Sequence, residues 1–243
     1  MNAPIRSTLP PLPARISRLP IDHRGFPVPW FVQWYENGKP SDFGIGKPDF
    51  RVIDASKLRV AVRQRLCWVC GGKLGQYLAF TIGPMCAINR VISEPPAHFE
   101  CAEFSAKACP FLSQPRMRRN EKDLPDGQKG PGFGIKRNPG VACVWVTKSY
   151  RTFQAPHGNK GTLFSLGDPT GVNWYAEGRD ATRAEVLASI DSGFPALLEL
   201  AEAQGADAIQ ALYEYRADIE PLLPTTPISD NPPGVSGPAG ERS

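Results

Sequence analysis

Two short strings constrain this chain more than any other feature: Leu66-Cys67-Trp68-Val69-Cys70-Gly71-Gly72-Lys73-Leu74-Gly75, and, further on, His98-Phe99-Glu100-Cys101. Two cysteines in C-x-x-C spacing can place both sulfurs about 2.3 Å from one Zn²⁺, and a glycine after the second permits the tight turn whose amides point at the thiolates. Pro95 and Pro96 precede a helix-forming stretch, so His98 and Cys101 fall in its first turn, on one face of the helix. The positive end of that helix favours a metal-bound thiolate. Cys67, Cys70, His98 and Cys101 are therefore expected to bind one Zn²⁺. Three thiolates and an imidazole fill a tetrahedron and leave no position open, which makes the expected site structural rather than catalytic.

The remaining thiols fit this centre less well. Cys109 lies eight residues beyond Cys101, about 12 Å further along a helix axis and out of reach of the same ion. Cys86 is a second competitor, and both are expected to be small buried hydrophobes. Glu100 between two ligands gives an H-x-E string, but no P-C-x-x-C follows it, so the chain lacks the zinc-deaminase pattern. The stretches LAFTI and INRVIS flank a Gly83-Pro84 corner and predict a β-hairpin between the ligand pairs.

Knuckle, hairpin and ligand-bearing helix, in that order, resemble a treble clef over roughly residues 66–110. The hairpin carries no His or Asp, so a nuclease of the treble-clef type is not expected. The strings GPMCAINR and EPPAHFECAEFSAKACPF, with the start DHRGFPVPWF, resemble an uncharacterised family of bacteriophage and bacterial proteins. That resemblance covers most of the chain and implies no particular activity.

The flanks read as an α+β protein. Residues 1–20, with five prolines, predict a disordered basic arm carrying Arg6, Arg15 and Arg18. Residues 21–122 hold a strand pair (FPVPWFVQWY and Phe50 to Ile53, joined by a loop with Gly44 and Gly46), a basic amphipathic helix capped by Asp54 over 55–66, and the zinc centre. Residues 123–140 are rich in Gly and Pro and predict a mobile loop. The region 141–222 begins with GVACVWVTK, apolar on nearly both sides like a buried strand, which the strand near 150–154 is expected to pair. Thr182 and Glu185 form a capping-box signature for a helix ended by Gly193; a second helix starts at Pro195 and a third spans about 207–220. Residues 223–243 predict a disordered tail.

Charge is distributed unevenly. Residues 1–46 carry 5 basic and 3 acidic groups, 47–151 carry 18 and 8, and 152–243 carry 5 and 13. A positive middle points to an anionic partner, and nucleic acid fits a basic surface beside a rigid metal centre. The candidate contacts are Arg59, Arg63 and Arg65 before the knuckle and Arg116, Arg118 and Arg119 after it, with Trp68 and Phe111 as stacking rings. The acidic C-terminal helices are a candidate surface for a protein partner. An enzyme is the alternative, with a pocket around Asp22-His23-Arg24; His157 is expected in a loop. No run of about 18 apolar residues or secretory signal is present, so no membrane and a cytoplasmic location are expected.

Overall fold

A computed structural model describes residues 4–114, 138–155 and 161–225. Arg116, Arg118, Arg119 and His157, most of the expected loop and all but the start of the expected tail lie outside the described residues.

Strand β1 (Val32–Glu36) turns through Asn37-Gly38, both at positive φ, into β2 (Lys39–Ser41), and β3 (Lys47–Ile53) pairs antiparallel on its other side. The expected pair is therefore three strands, because the Asn-Gly turn closes a tight hairpin of its own. Asp54 caps α1 (Ala55–Gln64) by accepting the Ser56 N–H. Lys57 is buried: its ammonium lies over the Trp30 and Phe43 rings and pairs with Asp54 at 3.4 Å.

After the knuckle come β4 (Leu78–Ile82), α2 (Pro84–Asn89) and the short β5 (Val91–Ile92). The hairpin expected here does not form. Proline at the first helical position starts a helix at the corner, and α2 buries Ala87 and Ile88. β4 is left to pair elsewhere. α3 (Phe99–Ala108) and α4 (Pro110–Ser113) follow, then β6 (Val141–Thr147), β7 (Tyr150–Gln154), β8 (Thr162–Leu166), β9 (Pro169–Ala176) and β10 (Arg179–Asp180).

The central sheet has the order β10-β9-β6-β4, all antiparallel. β7 pairs with β8, not with β6 as the sequence led us to expect, in a separate sheet β5-β8-β7. β6 is apolar on both sides, its two edges pair with β4 and β9, and its two faces go to two different cores. Val141, Cys143 and Trp145 face one core with Leu78, Phe80 and Ile82; Ala142 and Val144 face the other with Ala79, Cys67 and Cys101. The regions before and after residue 123 thus share one sheet.

The capping box at Thr182 and Glu185 opens α5 (Arg183–Glu202). Gly193 and Pro195 do not break it. The buried stripe Val186, Ile190, Phe194, Leu197 and Ala201 keeps helical phase straight through, so burial outweighs the roughly 3 kcal/mol that an interior proline costs. Gly193 instead allows close approach: a Cβ there would lie 2.9 Å from Met85 Sδ of α2. α6 (Ala206–Asp218) and a short 3-10 helix (Glu220–Leu222) close the first core, where Leu223, assigned to the tail, is buried and the Trp174 indole N–H donates to the Leu222 carbonyl. No helix among the described residues is long and apolar enough to cross a membrane.

The N-terminal arm is the largest departure from expectation. Ile16 is 0% exposed and Leu19 is buried, both in the core shared with Cys67 and Cys101. Prolines forbid a long helix there but not a folded segment: the Ile16 and Ser17 N–H groups turn back onto the Pro13 carbonyl, and the Val28 N–H donates to that of Pro20.

Candidate metal centre

The centre is assembled from three pieces of backbone. α1 ends at Arg65 in the left-handed conformation, which turns the chain into the knuckle. Leu66 and Lys73 then bridge antiparallel, the Cys67 N–H donates to the Gly72 carbonyl at 2.7 Å, and the Gly71 N–H donates to that of Cys67 at 2.9 Å. Gly71 has φ +71°, and a Cβ on it would meet the Trp30 ring at 2.9 Å, so only glycine serves there. The third piece is the start of α3, held to the knuckle by the Trp68 N–H on the Pro96 carbonyl and to β4 by reciprocal bonds between Ala79 and Ala97.

His98 occupies the N-cap position of α3 and Cys101 its first turn. The imidazole is turned away from capping and toward the cysteines. The ligand atoms of Cys67, Cys70, His98 and Cys101 all lie within 4.8 Å of one another and could hold a metal ion. Cys70 Sγ is 3.4 Å and Cys101 Sγ 3.9 Å from His98 Nδ1. These bracket the ligand–ligand edge of about 3.6 Å that a tetrahedron with 2.0–2.3 Å bonds requires.

The surroundings fix the donors. His98 Nε2–H donates to the Lys73 carbonyl at 2.8 Å, which leaves the Nδ1 lone pair free to ligate. Cys67 Sγ accepts N–H groups from Cys70 at 3.5 Å and His98 at 3.4 Å, stabilising a thiolate. Cys70 is held well below the usual thiol range by hydrogen bonds from Cys101 and Cys67, by the Gly72 amide and by His98. Cys101 is driven upward by the same sharing of protons. Three sulfurs this close cannot all ionise unless a cation sits among them. With a divalent ion the centre carries one net negative charge. Arg15 of the arm stands beside it, its guanidinium bonded to Glu100 at 2.9 Å and near Gly72.

Cys86 and Cys109 are not in this cluster and are half-buried rather than fully buried as expected; desolvation pushes the Cys86 thiol up to about 11 and that of Cys109 upward. Trp68, expected as an exposed stacking ring, is buried and lies parallel to Phe31 at 4.9 Å. Its neighbours Cys67 and Cys70 draw it inward. Phe111 remains exposed. The Asp22-His23-Arg24 segment makes a turn rather than a pocket. The buried Asp22 carboxylate accepts the N–H groups of Arg24 and Phe26 and the Arg24 guanidinium, while His23 points to solvent. Arg59, Arg63 and Arg65 are exposed and none takes part in an ion pair among the described residues. The acidic helices find other cations: Arg90 with Asp218, Arg183 with Glu220, Arg216 with Asp191. No protein-family model, curated protein or solved structure matches the chain.

Proposed function

We propose that this protein is a zinc-binding accessory or regulatory factor that associates with nucleic acid through a basic surface beside a structural zinc. The observation that supports zinc is the closed set of three thiolates and one Nδ1 imidazole, with a backbone carbonyl orienting the histidine. Soft ligands in a tetrahedron select Zn²⁺ over magnesium or calcium, which take oxygen donors. We read the centre as a treble-clef variant in which strand, helix and strand replace the hairpin, and the chain as a member of the bacteriophage and bacterial family it resembles.

The basic surface runs over the exposed cations of α1, Arg59 and Arg63, to Arg65; Arg116, Arg118 and Arg119, outside the described residues, are further candidate contacts. Arg59 and Arg63, four residues apart on one exposed helix face, are open to an anion from solvent. Elemental analysis of protein purified without added metal should find one zinc per chain. Fluorescence anisotropy at several salt concentrations should show affinity that falls steeply with salt, and Arg59→Ala with Arg63→Ala should flatten the slope by about 1.4 to 1.8 if both touch phosphates. Absence of binding to any DNA or RNA at low salt by folded, zinc-loaded protein would overturn the nucleic-acid reading.

A further inference from the structure

Between Asp54 and Glu94 the chain contains no carboxylate, and between Asp126 and Asp168 it again contains none. The central sheet lays these two stretches side by side, with β4 against β6 and Leu78 opposite Thr147. At the end of that ladder the next residues out are Tyr77 and Lys148. Tyr77 is 53% exposed, one of the most exposed aromatic side chains described, and Lys148 Nζ lies 5.5 Å from its ring centroid. Arg65 reaches the same turn by donating to the Gly75 carbonyl at 3.2 Å, and Lys73 is held close by its bond to the Gln64 carbonyl at 2.8 Å. None of Arg65, Lys73 or Lys148 takes part in an ion pair among the described residues.

Tyr77 keeps its ring exposed beside Lys148, just after the turn that carries Lys73 and that Arg65 bonds at Gly75, and neither its own stretch of sequence nor that of the adjoining strand holds a carboxylate. From this juxtaposition we propose that Tyr77 is a stacking platform for an unpaired base, with Arg65, Lys73 and Lys148 taking the flanking phosphates, so that the partner is a single strand. The choice of a single strand follows from what a ring can contact. In a duplex the base faces are covered by neighbouring bases and only edges are offered, whereas an unstacked base presents its whole π-face. Every base has such a face, so binding is tolerant of sequence. This inference rests on the nucleic-acid reading above and specifies its partner and contact residues.

The test uses the full, zinc-loaded chain and a labelled oligothymidylate of about 12 nucleotides, against a hairpin duplex of the same charge. Tyr77→Ala should weaken single-strand binding about tenfold, while Tyr77→Phe, which keeps the ring, should stay within about twofold of the parent. Lys148→Ala should flatten the salt slope by about 0.7. Zinc content and circular dichroism establish that the variants are folded, as expected for so exposed a side chain. If Tyr77→Ala binds as the parent does while the double Arg59 and Arg63 variant is weakened, the stacking proposal falls and the broader reading stands. An equal loss on the duplex also overturns it. If the parent binds neither probe, both fall together.

Discussion

Replacing Ile16 by Ala tests whether the N-terminal arm belongs to the folded core. Ile16 is 0% exposed and packs in the cluster that contains Cys67, Cys101 and Ala102. The substitution removes three carbons, worth about 0.8 kcal/mol each on transfer, and leaves a cavity that the close-packed neighbours fill only in part. The expected cost is about 3 kcal/mol, or roughly 6 to 12 °C in melting temperature for a chain of this size. Ile5, 54% exposed in the same arm, is the internal control, and Ile5→Ala should change stability by less than about 0.5 kcal/mol. Urea unfolding at fixed free zinc measures both, since metal bound only to the folded state adds to apparent stability and must be held constant. Removing residues 1–20 should cost at least as much as Ile16→Ala. Equal, negligible losses for the two isoleucine variants would refute the docking of the arm and restore the free-arm reading.

Other consequences are as direct. Cys70→Ser should abolish stoichiometric zinc and unfold the knuckle, while Cys86→Ser and Cys109→Ser should retain the metal, as read by elemental analysis; a chelator should reproduce the Cys70→Ser effect on circular dichroism. Asp22→Ala strands two backbone N–H groups and should cost about 2 kcal/mol. Burial alone would raise the Asp22 carboxyl, but the bonds from Phe26 and Arg24 outweigh it and hold the carboxyl below its ordinary value. Its contribution is therefore complete above the ordinary carboxylate pKa and is lost as pH falls through the folded value, so the parent should lose more stability in acid than the variant does. Thr182→Ala removes the N-cap of α5, where the Thr182 hydroxyl accepts the Glu185 N–H; about 1 kcal/mol should be lost in thermal unfolding.

The cluster of Cys67, Cys70, His98 and Cys101 was legible in the sequence because its geometry is local twice over. Cys67 and Cys70 share one knuckle turn, and His98 and Cys101 share one helical turn. The same locality made the caps of α1 and α5 legible, since Asp54 bonds Ser56 and Thr182 bonds Glu185. Buried β6 could be recognised from its own residues, which are apolar on both sides.

Its partners could not. Strand pairing joins residues far apart in sequence, and nothing in Tyr150–Gln154 says that it prefers β8 to the strand just before it. The Gly83-Pro84 corner fits a turn or a helix start equally well by local rules; burial of Ala87 and Ile88 against α2's neighbours decides for the helix. Gly193 and Pro195 locally argue for a break, and the continuous apolar stripe of α5 overrides them. The arm's prolines exclude a long helix but carry no information on whether Ile16 has a surface to bury against. Arg59, Arg63 and Arg65 could be picked out by charge alone, whereas Tyr77 and Lys148, 71 positions apart in the sequence, meet only because β4 and β6 pair. By itself, then, the sequence determined which two cysteine and histidine pairs are preformed and where the helix caps lie, because those contacts span a few residues. Tertiary structure decided which strands share a sheet, that the arm packs in the core beside the Cys/His cluster, and that Lys148 meets the exposed Tyr77 ring, because each depends on a long-range contact whose partner no short window of sequence contains.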